Sequence, residues 1–156
     1  MDIDDTLTSD GRLTAAAYTS LERLQGADKL VIPVTGRPAG WCDHMARMWP
    51  VGGIIGENGA FYFRYDYNAR QMIRRYHMDD QTLAMNRGKL ELVGNEIVAA
   101  VPGAAIAADQ RYRETDLAVD FREDVKELSR SSVENIVGMM KKAGMTTKVS
   151  SIHVNG

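Results

Sequence analysis

Lys29-Leu30-Val31-Ile32-Pro33-Val34-Thr35-Gly36-Arg37-Pro38 is the stretch on which the reading of this chain turns. The apolar run over 29–34 predicts a buried strand, with Pro33 the one residue against it because proline brings no ladder donor. Thr35 to Pro38 then makes a turn, and 41–49 reads as a helix stopped by Pro50. Gly53-Ile54-Ile55-Gly56 is another very short buried strand. Upstream, Leu13, Ala17, Leu21 and Leu24 recur at helical spacing, so a helix covers 15–25, with Thr14 at its N-cap and Gly26 at C′. Helix, strand, turn, helix, strand is the rhythm of a parallel α/β sheet.

The rhythm changes at Asn58-Gly59. Residues 61–65 and 71–76 predict a β-hairpin around a turn at 66–69. A helix follows over 80–100, with Gly88 and Gly94 inside it as weak points. Two strands, 104–108 and 116–121, precede a helix carrying Val133, Ile136, Val137 and Met140 on one face. Residues 146–154 alternate well enough for one or two strands. This second half is a separate α+β unit.

Composition excludes several classes. Of the 156 residues 44% are hydrophobic and 26% charged, which is globular and not disordered. Lys plus Arg total 19 against 21 Asp plus Glu, and a net charge of −2 argues against a nucleic-acid partner. No apolar run is long enough to span a membrane, and the acidic start, Met1 to Asp5, is unlike a signal peptide. The lone Cys42 excludes an internal disulfide or a multi-cysteine zinc site. The expected location is cytoplasmic.

Asp2-Ile3-Asp4-Asp5-Thr6-Leu7-Thr8 places three carboxylates within four positions. A solvated acidic N-terminus is the plain explanation. A calcium loop would need Gly at its sixth position and Glu at its twelfth, where this chain has Leu7 and Leu13. The order D-x-D-x-T, helix, apolar strand, Thr35-Gly36-Arg37 resembles motifs I and II of the haloacid dehalogenase superfamily of phosphohydrolases. Strand-end geometry suits that chemistry, since Asp2 and Asp4 face the substrate while Ile3 turns into the core. The resemblance implies Asp2 as nucleophile on phosphorus and Asp4 as general acid/base. It further implies Thr35 and Gly36 as phosphate-binding, Arg37 and Asn58 as substrate-orienting, and Mg2+ held by Asp2 and Asp4.

Thr35-Gly36-Arg37, then a helix, then Gly53 to Ala60 resembles the type IIB subgroup, in which a C2B cap is inserted after the third strand. The implied fold is α/β, a partial Rossmannoid parallel sheet with an inserted α+β cap. Its parts would be a partial core over 1–77, a cap over 78–150 and a strand over 151–156 returning toward the core. Asn58 and Gly59 match the subgroup's turn beside the active-site entrance, although a tight hairpin turn explains them equally well.

The chain departs from the family pattern in three places. Asp5 stands where Gly is usual, and only Met1 precedes Asp2, where a buried central strand is expected. The sequence stops at Ile152-His153-Val154-Asn155-Gly156, before the motif III lysine and the motif IV acids. Lys148 belongs to a cap strand, and Lys141 and Lys142 to a solvated helix face, so none replaces that lysine. It therefore reads as an incomplete phosphatase, whose open sheet edges favour self-association.

The implied substrate is a small phosphorylated metabolite, a sugar phosphate or a relative of one. Arg74, Arg75, His77, Arg111 and Arg113 are candidate cations for it and Tyr112 a stacking surface, against the plainer reading of exposed polarity. Cys42 and His44, two apart on a helix, face different sides and make no catalytic pair. His153 reads as a strand surface residue, and Met139, Met140 and Met145 as core filler. Two functional classes stay open: a magnesium-dependent phosphatase, or a non-catalytic remnant that binds a ligand or partner.

Overall fold

The computed structural model describes residues 1–4 and 6–156; Asp5, one of the departures noted above, lies outside the described residues. These residues divide into two units, Met1–Asp79 and Asp80–Gly156. No helix among them is long and apolar enough to cross a membrane.

The first unit begins with two helices that start for different reasons. Helix α1 (Ala15–Gly26) has Thr14 as N-cap, its hydroxyl accepting the Ala17 N–H at 3.2 Å. Gly26, expected just past the helix, is its last residue, and the left-handed position falls on Asp28 at φ 57°. Helix α2 (Ala39–Met48) follows Pro38, which offers no capping oxygen. The buried Glu57 carboxylate takes that place and accepts the Ala39 N–H at 2.8 Å.

Strands β1 (Ile54–Gly56), β2 (Phe61–Asp66) and β3 (Gln71–Tyr76) form an antiparallel sheet in that order. Phe61 and Phe63 stack at 4.2 Å, and Tyr76 meets both edge-on. With Ile3, Ala39, Cys42, Met45, Ala46 and Ile54 they make the core of this unit. Gly56 is required there, because a Cβ would overlap the Phe61 ring and sit 2.6 Å from Cys42 Sγ. In the hairpin turn the Asp66 carboxylate accepts the N–H groups of Asn68 and Ala69.

The expected strand over 29–34 is a correction. Parallel pairing survives only as single bridges, Asp2 with Val34 and Val34 with Ile55. Pro33 explains the gap: its carbonyl accepts from Ile55 N at 2.9 Å, but it has no N–H to return. Val34 N to Met1 O and Thr35 N to Ile55 O continue the same line, so the parallel core is present in outline. The formed sheets are both antiparallel.

In the second unit, helices α3 (Asp80–Ala100) and α4 (Arg130–Lys142) pack on a sheet of β4 (Ala105–Ile106), β5 (Ala118–Asp120), β6 (Lys148–Val149) and β7 (His153–Asn155). Strand order is β4-β5-β7-β6. Val93, Ile97, Val101, Leu117, Val119, Ile136, Met140 and Val154 fill the space between. Gly94 keeps α3 close to the sheet, since a Cβ would come within 2.9 Å of Ile106 and 3.1 Å of Leu117. Residues 151–156, expected as a strand returning toward the core, belong to the second unit. β7 pairs with β5 and β6, and Gly156 exchanges both backbone hydrogen bonds with Leu117. The strands expected over 104–108 and 116–121 shorten to β4 and β5, with a 3-10 turn at Gln110–Tyr112 between them.

Asp120, only 1% exposed, closes the turn after β5. Burial pushes its carboxyl up, but the N–H groups of Asp124, Glu123 and Arg122, with His153 nearby, outweigh burial and hold it below the usual carboxylate range. A depressed folded value means stability that is present above the unfolded pKa and lost as pH falls through the folded one. We expect stability to drop below about pH 4, near the ordinary carboxylate pKa. Thermal melts between pH 6 and pH 2.5 check this. Asp120→Asn should melt lower at pH 6 yet lose less on acidification, and parallel curves would refute the assignment.

Candidate active site

Asp4, Thr35 and Arg37 converge at the end of the bridged segments. The Arg37 guanidinium donates to Asp4 Oδ1 from Nε at 3.2 Å and from Nη2 at 2.8 Å. Thr35 Oγ1 donates to Asp4 Oδ2 at 3.4 Å and accepts the Arg37 N–H at 3.1 Å. One carboxylate, one hydroxyl and one guanidinium thus hold each other. Asp4 is half-buried and Thr35 buried, which strengthens charge-assisted bonds over those of an open surface.

Asp2 joins the group through the backbone. Its parallel bridge with Val34 puts it on the segment beside Thr35, and its own carboxylate accepts the Ile3 N–H at 2.9 Å. Ile3 is buried in the core, as the alternation of the motif requires. Asn58 donates its N–H to Thr35 O at 3.1 Å, and its side chain lies over Gly36, where a Cβ would stand 3.1 Å from Asn58 Oδ1. The six residues singled out in the sequence therefore occupy one end of the first unit, with Asp4, Thr35 and Arg37 in mutual side-chain contact.

Glu57 was not among them. It and Asn58 are consecutive non-glycine residues at positive φ, 43° and 58°, a conformation that costs of order 1–3 kcal/mol each and concentrates at functional sites. Buried Glu57 is held there by the Ala39 N–H, and its own N–H reaches Arg37 O at 3.2 Å. It therefore ties the Arg37 loop to the start of α2. Nothing in the residue type predicts this, because the partner lies far away in the chain.

Other candidates resolve differently. Cys42 is buried in the core and His44 is exposed. Arg74 pairs with Asp43 at 2.9 Å. Arg113, expected as a substrate cation, is buried between Asp109 and Asp116, both at 3.0 Å, and serves the inside of its own unit. His153 is a correction too: it is only 4% exposed. Its Nε2 lies 2.9 Å from Glu123 Oε2 without the alignment of a hydrogen bond.

Among the described residues no group of three or more His, Cys, Asp or Glu side chains is gathered to hold a metal ion. The acidic motif still offers two carboxylates. Magnesium typically takes one or two carboxylates, several waters and the substrate's own phosphate, and carboxylate oxygens suit such a hard cation.

A family model for haloacid dehalogenase-like hydrolases matches residues 1–86. Comparison with the curated proteins gives no match. Among solved structures the fold is similar to a Thermoplasma acidophilum protein, with a TM-score of 0.73 at 14% identity, covering 99% of this chain and 61% of that one. It is similar to a trehalose-6-phosphate phosphatase related protein, with a TM-score of 0.56 at 16% identity, covering 94% of this chain and 58% of that one. Plasmodium falciparum IMP-nucleotidase gives a TM-score of 0.59 at 11% identity, with 99% and 45% covered. At such identities the likeness is one of fold, and the chain spans about three-fifths or less of each of these structures.

Proposed function

Because the chain belongs to the haloacid dehalogenase-like hydrolase family, we propose that it carries the catalytic carboxylates of a magnesium-dependent phosphomonoesterase acting on a small phosphorylated metabolite, a sugar phosphate or a relative of one. The observation that supports this most is the interlocked set of Asp4, Thr35 and Arg37 beside the segment bearing Asp2.

In this reading an Asp2 carboxylate oxygen attacks phosphorus while the ester P–O bond breaks, and Asp4, which enters the step carrying a proton, passes it to the departing alkoxide. Asp4, now ionised, takes a proton from water as that water attacks the aspartyl-phosphate, which frees phosphate and restores Asp2. The Thr35 hydroxyl and the Gly36 backbone N–H receive the phosphoryl oxygens as negative charge builds on them. Gly36 lets the backbone approach, and Asn58 and Arg37 orient the substrate. Asp2 and Asp4 would hold magnesium, which when bound offsets the charge of phosphate against carboxylate. We take the second unit, expected over 78–150, to be the cap that selects the substrate. A cytoplasmic setting belongs to the same proposal.

Phosphate release from a panel of sugar phosphates, measured on a chain that also carries a motif III lysine and motif IV acids, tests the reading. Without those groups no more than trace turnover is expected. With them, turnover that disappears on chelation and returns with Mg2+ is the expected result. Binding of a phosphorylated ligand with no turnover in either condition would favour the non-catalytic class.

A further inference from the structure

Asp4 and Arg37 form one end of a cavity of about 390 Å3 that lies wholly within the first unit. A volume of this order suits a small molecule, for which sites run roughly 300–1,000 Å3. The rest of its wall is mostly apolar, with Thr8 and His44 its polar side chains. Between the turn after the acidic motif and one face of α2, the cavity is lined by Ile3, Leu13, Trp41, Met45 and Trp49. A phosphate dianion gains nothing from such a surface; an apolar ligand face buried there does.

Trp41 is the decisive residue. It remains 43% exposed although its indole is a large apolar side chain. It sits four residues after Arg37, whose guanidinium lies 4.9 Å from the ring centroid while also bonding Asp4. Supporting Arg37 by a cation–π contact would account for Trp41 alone. It does not account for Leu13, Met45 and Trp49 lining the same cavity.

We propose that this cavity is the leaving-group subsite, and that it favours phosphomonoesters whose alcohol presents a ring face, with Trp41 as the specificity-determining residue. The inference rests on the phosphatase reading above for the role of the charged end. A ring laid along this wall keeps the ester oxygen toward Asp4, the group that must protonate it.

Calorimetric binding of phenylphosphonate and ethylphosphonate, two non-hydrolysable probes with the same charged group, tests the subsite without turnover. Phenylphosphonate should bind about tenfold tighter, the scale of one aromatic stacking contact. Trp41→Ala should remove most of that difference and leave ethylphosphonate within about threefold, while Trp41→Phe retains most of it; melting curves confirm that each variant folds. Equal binding of the two probes, or equal weakening of both by Trp41→Ala, would overturn the subsite and leave Trp41 as a support for Arg37. Selective phenylphosphonate binding, with no phosphate release from any ester even by a chain carrying the motif III lysine and motif IV acids, would overturn the phosphatase reading and keep the subsite. A folded protein that binds neither probe overturns both.

Discussion

In a chain that also carries the motif III lysine and motif IV acids, Asp2→Asn is expected to remove phosphomonoester turnover by more than the roughly 10²–10⁴-fold that loss of a general acid/base group costs. The substitution is nearly isosteric, and an Asn carbonyl oxygen can still accept the Ile3 N–H that Asp2 Oδ1 accepts at 2.9 Å. The exposed position and the parallel bridge to Val34 are also kept, so the fold should be unaffected. What changes is the attacking atom, because an amide oxygen is a far poorer nucleophile toward phosphorus than a carboxylate. Asp4→Asn should cost less, within that 10²–10⁴-fold span. It should cost least with esters of acidic alcohols, which leave without a proton. Acid-quenched wild-type protein should carry hydroxylamine-labile phosphate, and Asp2→Asn should carry none. Near-normal turnover by Asp2→Asn would sink the nucleophile assignment, whatever Asp4 does.

The parts of this fold that were legible in the sequence are those with local causes. Thr14 caps the helix it precedes, and Pro50 follows the close of α2. Helix α3 is read correctly over 80–100 in spite of Gly94, whose missing side chain is a packing requirement and not a break. Pairing partners were less legible. Nothing in His153 to Asn155 says that β5 and β6, and not the first unit, complete its ladder. The site divides along the same line. Asp2, Asp4 and Thr35 announce themselves by spacing, whereas Glu57 acts on a helix start 18 residues earlier in the chain, a distance shown by its bond to Ala39. Trp41 and Trp49 look like ordinary helix residues until the turn at Thr8 to Leu13 is placed opposite them.

Arg113 shows how a residue type can mislead, and it carries the second large effect. A lone arginine in a polar stretch suggests a ligand cation. The spacing Asp109, Arg113, Asp116 was the contrary signal, since both acids come within reach of one guanidinium. Its side chain is 2% exposed, donating to Asp109 from Nε and Nη2 and to both oxygens of Asp116 from Nη1. Burial works against its charge, but Asp116 and Asp109 outweigh burial and hold the guanidinium above its usual pKa. Asn155 adds a bond to Asp116 Oδ2 at 3.0 Å, which ties β7 into the network. Arg113→Ala therefore removes the guanidinium that two carboxylates share, one of them in a residue 8% exposed. Breaking a buried pair from one side costs about 3–5 kcal/mol. Arg113→Lys should recover only part of this, because a single ammonium cannot fork between two carboxylates. Arg130→Ala is the matched control: its pair with Glu134 has side chains 92% and 65% exposed, where loss of the contact costs roughly 0–1 kcal/mol. Amide exchange at β5 and β7 reads the stability of the second unit directly. A loss below about 1 kcal/mol for Arg113→Ala, no larger than the exposed control, would mean that the network is not what holds this connection.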